Sequence, residues 1–240
     1  MKRDYLSASA LKAFAKSPNH YLQYVTEERT QSEAALLGSL VHCMVLEPDK
    51  LDEKYTKAPD VDRRTKEGKA TWAEFVALSA GKETVKADMW RQALDVALAV
   101  RREVEMFRIE DGTGKAEVKT EGELFGVPFL GFIDYEKPEA IFDLKTTQDA
   151  SPQAFQREAY NYGYHIQATV YRLLTGKRFF WIAAEKAAPF NVQVYQQSDQ
   201  AFERTAQLVE RLVNEWKRWD GKPQGYNVPE VCTLDLPAWA

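Results

Sequence analysis

Residues 33–46 carry Ala35, Leu36, Leu37, Leu40, Val41, Met44 and Val45. Apolar side chains therefore cover much of the helix that this stretch predicts, and the helix is expected to be buried. Ser32 supplies its cap and Pro48 its stop. The rest of the first 110 residues also reads as helical. A short helix is capped by Ser9 and runs to residue 16, a second over 18–28 starts at Ser17-Pro18, and two more cover 66–79 and 87–107. Between them, 49–66 reads as a loop around Pro59 and the charged run Asp60-Val-Asp-Arg-Arg64.

Beyond residue 115 the pattern changes to that of strands, predicted over 116–121, 127–135 and 140–146. Gly122 and Gly126-Val-Pro128 surround the first turn, and Pro138-Glu139 makes the second. Ser151-Pro152 opens another helix, and a longer one covers 162–174 before Gly176. Strands over 178–186 and 190–196 turn at Ala188-Pro189, and Ser198 or Asp199 caps a long helix to 219. The last twenty residues, with Pro223, Pro229 and Pro237, read as an extended tail. Helices, a three-strand meander, helices, two strands and a helix predict an α/β fold with a mixed central sheet. One domain is expected over 1–240: a mainly helical part at 1–110, sheet and helices at 111–220, and the tail at 221–240.

Composition narrows the class. The chain has 240 residues, 45% hydrophobic and 28% charged, which suits a folded domain with a sizeable core. A net charge of −4 argues against a protein that coats DNA non-specifically, yet permits a local basic channel beside clustered acids. Cys43 and Cys232 are too few for a four-cysteine metal site and suggest a reduced, cytoplasmic setting. No apolar run is long enough to span a bilayer, and no signal-peptide core follows Met1-Lys2-Arg3-Asp4.

The chemistry gathers in 131–147. Phe142 and Leu144 flank Asp143, so Asp143 and Lys145 share one strand face while the apolar pair takes the other. The turn at Pro138-Glu139 brings Asp134 alongside. Asp134, Asp143 and the Leu144 carbonyl offer oxygens to magnesium or manganese, and Lys145 suits a scissile phosphate. An isolated Asp-Leu-Lys is more often a half-exposed strand with a surface ion pair, and the upstream Asp134 with the turn between favours the site. His42 lies one turn after Gly38 on the apolar helix, as a core histidine or, beside a metal, as a ligand. Glu117 either faces the same cavity, holding a metal-bound water, or faces solvent. Gln167 and Tyr171 are i,i+4 neighbours suited to a phosphate backbone or to the lysine, or else form a packed helix edge.

These motifs resemble the PD-(D/E)xK nucleases, in the branch containing exodeoxyribonuclease VIII of the RecE type and, more distantly, phage lambda exonuclease. The likeness runs in order through Ser7-Ala-Ser-Ala-Leu-Lys12 with Lys16-Ser-Pro-Asn-His-Tyr21, Leu37-Gly-Ser-Leu-Val-His42, and Arg63-Arg-Thr-Lys-Glu-Gly-Lys69 with Trp72. It continues through Glu117, Gly131-Phe-Ile-Asp134, Asp143-Leu-Lys-Thr-Thr147 and Tyr164-His-Ile-Gln-Ala-Thr-Val-Tyr171. Gly131-Phe-Ile stands where many members have Arg-Pro before the first aspartate.

The resemblance implies that His42, Asp134, Asp143 and the Leu144 carbonyl bind metal, that Lys145 is the catalytic lysine, and that Glu117 assists. It implies about two magnesium ions per site, with manganese as a substitute. Gln167 and Tyr171 are implied to contact DNA, and Ser9 with Lys2 or Arg3 to meet a 5′ phosphate. The implied reaction is 5′-to-3′ degradation of linear double-stranded DNA, leaving 3′ single strands for phage-type recombination. A ring-shaped homo-oligomer, trimer or tetramer, and a single-strand annealing protein are implied as partners. Trp219, Tyr226 and Trp239 are candidates for an inter-subunit arm. An endonuclease on the same fold and a non-catalytic DNA-binding assembly module stand as alternatives.

Overall fold

The computed structural model describes residues 2–27, 31–106 and 113–226, with the backbone alone of 104–106. Three helices come first: α1 (Ala8–Lys16), α2 (Pro18–Thr26) and α3 (Glu33–Leu46). Ser7, not Ser9, caps α1: its Oγ accepts the Ala10 N–H at 3.1 Å. Ser17 and Ser32 cap α2 and α3 in the same way.

The stretch read as a loop holds more structure. A 3₁₀ turn (Pro48–Lys50) and a single-turn helix α4 (Leu51–Lys54) lead into strand β1 (Tyr55–Lys57). After α5 (Lys66–Leu78), β2 (Glu83–Val85) pairs with β1 in parallel. Three residues per strand carry no periodicity that a sequence could announce. Then α6 (Ala87–Met106) packs on α3, burying Ala93, Val96, Ala97 and Val100 against Leu37, Leu40, Val41 and Met44.

The main sheet contains β3 (Lys115–Leu124), β4 (Val127–Glu136), β5 (Ala140–Thr147), β6 (Arg178–Glu185) and β7 (Val192–Gln196), side by side in that order. β5 and β6 are parallel and the other neighbours antiparallel, so the sheet is mixed. β3 runs through Gly122 to Leu124, and the hairpin turns at Phe125-Gly126, both with positive φ, the I′ arrangement that follows strand twist. Helices α7 (Pro152–Asn161) and α8 (Tyr164–Thr175) make the crossover from β5 to β6, and α9 (Asp199–Arg218) follows β7.

Alternation along β6 divides the core. Ile182 and Ala184 face α3 and α6, whereas Phe179, Trp181 and Ala183 face α7 and α8. The N-terminal helices are not an independent unit. Leu11, Phe14 and Tyr21 share one cluster with Ile166 and Val170 of α8 and Val209, Val213 and Trp216 of α9.

Trp219 belongs to that cluster rather than to a projecting arm; it is 9% exposed, and its ring meets Phe14 and Tyr21. Tyr226 is exposed. Residues 227–240, including Trp239 and Cys232, lie outside the described residues, as do Glu28 and Phe107 at two expected helix ends. Among the described residues no helix is long and apolar enough to cross a membrane.

Candidate metal centre

The site sits where β4 and β5 part. Their ladder holds at Tyr135↔Phe142 and Glu136↔Ile141, the pairs next to the turn in which the Lys137 N–H reaches Ala140 O. Past those pairs β5 stays in register with β6 as far as Thr147↔Glu185. There the Leu144 N–H donates to Asp134 Oδ2 at 2.9 Å, so the backbone of one strand orients the carboxylate of the other.

On the other side of β4, the ladder with β3 runs through Ala116↔Tyr135 and Val118↔Ile133. Glu117 lies between them, opposite Asp134, with φ +52°. The left-handed region costs an L-residue roughly 1–2 kcal/mol, and a non-glycine residue held there inside a strand marks a position set by something other than the sheet.

His42 reaches these acids from α3. Its Nε2 is 3.0 Å from Asp134 Oδ2 and its Nδ1 is 3.3 Å from Glu117 Oε1. One ligand atom from each of His42, Glu117 and Asp134 lies within 4.8 Å of the others. All three line a cavity of about 740 Å³, together with Gly38, Leu144, Lys145, Glu158, Tyr162 and Tyr164. A Cβ at Gly38 would meet Thr146 Oγ1 at 3.5 Å, an ordinary contact, so the glycine is not needed there for room.

The electrostatics follow from this crowding. Burial works against the His42 imidazolium, but the hydrogen bond and charge of Asp134, then the charges of Glu117 and Asp143, outweigh it and raise its pKa. Burial likewise works against the Asp134 anion, and the His42 contact with the Lys145 charge and the Leu144 N–H holds its pKa below the usual range. Burial pushes Glu117 up; His42 opposes this and Asp134 adds to it. One imidazole and two carboxylates in partial charge excess form a donor set that fits a divalent cation accepting nitrogen and oxygen.

Asp143 and Lys145 project together, as strand alternation requires, toward α8. Asp143 Oδ2 lies 2.5 Å from Lys145 Nζ, an ion pair without the angle of a hydrogen bond. Oδ1 accepts from Gln167 Nε2 at 2.9 Å. Asp143 therefore stands beside the trio of possible ligands and not within it. Burial pushes its carboxyl up to about 6, Lys145 opposing and Asp134 adding. Burial would lower the Lys145 ammonium, but Asp143 and Asp134 overcome this and hold it above its ordinary value. The ammonium also lies 5.1 Å from the Tyr164 ring centre.

The residues expected to contact DNA divide. Gln167 is engaged by Asp143. Tyr171 is 6% exposed, and its hydroxyl donates to Phe132 O at 2.8 Å. It braces β4 and offers no surface to DNA. Gly131 explains how: a Cβ there would lie 2.7 Å from the Tyr171 ring, so glycine lets the tyrosine cross the strand. Lys2 is likewise occupied, donating to the carbonyls of Trp216, Lys217 and Trp219 at the end of α9. The Arg3 guanidinium reaches Val25 O. Ser9 lines a separate groove with Lys12 and Tyr162. Lys12 and Tyr164 lie within stretches that carry the family likeness, but the likeness assigned neither a role.

Residues 7–232 match the family described as "PDDEXK-like domain of unknown function (DUF3799)". No curated protein matches the chain. Among solved structures, a "Putative exonuclease" from Eubacterium rectale aligns at TM-score 0.64 and 22% identity over 90% of this chain and 80% of that one. An alkaline exonuclease from Laribacter hongkongensis aligns at 0.33 and 13% over 90% and 89%. A phage related exonuclease from Haemophilus somnus aligns at 0.32 and 11% over 81% and 96%.

Proposed function

We propose that this chain, which belongs to the PDDEXK-like family, is a divalent-metal-dependent deoxyribonuclease that shortens linear duplex DNA from its 5′ ends and leaves 3′ single strands. The observation that carries this reading is the meeting of His42, Glu117 and Asp134 within 4.8 Å beside the Asp143–Lys145 pair.

In this reading His42, Glu117 and Asp134 hold the cation, with Asp143 and the Leu144 carbonyl adjoining. The cation is magnesium, with manganese as a substitute and two ions per site. Bound there, it lowers the pKa of water and offsets charge on a phosphate. The chain supplies the rest. The Leu144 N–H fixes the Asp134 carboxylate, and Gln167 fixes Asp143. Lys145, paired with Asp143, presents a positive charge to a phosphate oxygen and stabilises negative charge there. A ring-shaped homo-oligomer around duplex DNA and a single-strand annealing partner belong to the same proposal, and rest on the likeness to RecE-type and lambda enzymes.

The test is digestion of linear duplex DNA labelled separately at its 5′ and 3′ ends, with magnesium and then with chelator, beside a closed circle. Metal-dependent early release of the 5′ label and an intact circle support the reading. Cleavage of the circle would make the enzyme an endonuclease. No digestion under any divalent metal would remove the catalytic reading.

A further inference from the structure

Thr147 holds an acid and a lysine in the wall of the metal-site cavity. It ends β5 and is 1% exposed. Its carbonyl accepts the Lys186 N–H at 3.0 Å, and its hydroxyl lies 2.5 Å from Glu158 Oε2. The hydroxyl has one proton, and the carboxylate competes for it better than Asp149 O at 3.2 Å. The Lys186 carbonyl is fixed as well, accepting from Gln92 Nε2 at 2.8 Å. Glu158 and Lys186 both line the cavity that holds His42, Glu117 and Asp134. Among the described residues no hydrogen bond or ion pair engages the Lys186 ammonium, and none engages Glu158 Oε1.

Their place relative to the metal trio is set by β5. Past Leu144 the strand runs along α3 toward the start of that helix: a Cβ on Gly38, one turn before His42, would meet Thr146 Oγ1. Ala34 and Ala35, a further turn away, line the cavity with Lys186. Thr147 stands about 10 Å along the strand from Leu144, which leaves room for one nucleotide. The charges there do not suit an uncut strand. A phosphodiester backbone carries a negative charge on either side of each sugar, and Glu158 would repel one of the two. A single released nucleotide carries a 5′-phosphate and a free 3′-hydroxyl. A cation without a partner and a carboxylate oxygen without a donor match that pair of groups.

We propose that this end of the cavity holds the nucleotide released by each cut, its 5′-phosphate on Lys186 and its 3′-hydroxyl donating to Glu158. In the cutting step water adds to phosphorus, the P–O3′ bond breaks, and one proton of the water ends on O3′. The carboxylate thus meets a donor only after cleavage. The proposal rests on the nuclease reading and deepens it: Glu158 distinguishes product from uncut strand.

The probes are three thymidine nucleotides, titrated calorimetrically into the full chain in chelator. They are the 5′-monophosphate, its 3′-deoxy analogue, and the 3′,5′-bisphosphate, which stands for an uncut link. Wild-type protein is expected to bind the monophosphate about tenfold more tightly than either of the others, as one hydrogen bond to a charged group allows. Glu158→Ala should abolish that preference. Lys186→Met should weaken binding of the monophosphate about tenfold, and Lys186→Arg should restore it. Each variant is first checked for wild-type circular dichroism. The preference is read between ligands on one protein, so loss of the Thr147 contact alone does not imitate it. Wild-type protein that binds no monophosphate, or binds either other nucleotide as tightly, overturns the proposal, as does a Glu158→Ala variant that keeps the preference. Digestion of DNA without this binding would keep the nuclease and reject the product site. Glu158-dependent binding in a protein that digests no DNA would keep the site and reject the nuclease.

Discussion

Gln167 Nε2 donates to Asp143 Oδ1 at 2.9 Å, and this bond sets which way the second aspartate of the site faces. The other oxygen meets Lys145. Removing the amide leaves a buried carboxylate oxygen without a donor, at roughly 1–3 kcal/mol. Gln167→Ala should lower stability by about that much in urea unfolding. It should also lower kcat more than it raises KM, because a mis-set Asp143 disturbs the site and not the grip on DNA. A change in KM alone would assign Gln167 to DNA contact instead.

Glu117 carries strain for its place opposite Asp134. Its φ of +52° is one that glycine adopts freely. Glu117→Gly is therefore expected to keep or raise stability, by up to about 1 kcal/mol, while weakening divalent-cation affinity. A melting curve with and without manganese reads both. Loss of stability without loss of metal affinity would show that Glu117 serves the sheet.

Gly131 and Tyr171 form a matched pair across β4. Gly131→Ala puts a methyl 2.7 Å from the tyrosine ring. The expected cost is about 1–3 kcal/mol, the usual penalty for overpacking. Tyr171→Ala removes the obstacle along with the bond to Phe132 O. The double variant should therefore be more stable than the sum of the single losses, and additivity would contradict the pairing.

Glu47 gives the pH dependence a sign. Burial works against its carboxylate, but Lys50 and Lys54 both bond to it and hold its pKa below the ordinary value. A group with a depressed folded pKa contributes stability that is present above its unfolded pKa, near 4.5, and lost as pH falls through the folded value. Stability of the wild type should therefore drop below about pH 4.5, and the Glu47→Gln variant should show a shallower drop in the same acid titration.

Much of this was legible in the chain because the informative pattern is local. Phe142, Asp143, Leu144 and Lys145 alternate, and that alone placed the acid and the lysine on one face. Serines three residues before free N–H groups marked the helix starts, although Ser7 and Ser9 differ by one short step that pattern cannot resolve. What stayed hidden depends on distant partners. Lys2 meets the end of α9 more than 200 positions away, which no local window contains. Glu117 takes its positive φ inside a strand-like sequence that gives no sign of it. The stretch 49–66 conceals β1 because its partner, β2, lies beyond α5. The role of Gly131 becomes readable only once Tyr171 is seen lying over it.

The central claim is that His42, Glu117 and Asp134 hold a divalent cation, and manganese binding followed by electron paramagnetic resonance tests it most directly. Wild-type protein should bind manganese, and His42→Ala and Asp134→Asn should each lose at least about tenfold in affinity while keeping a wild-type fold. Manganese binding that is absent from the wild type, or unchanged in both variants, would contradict the account.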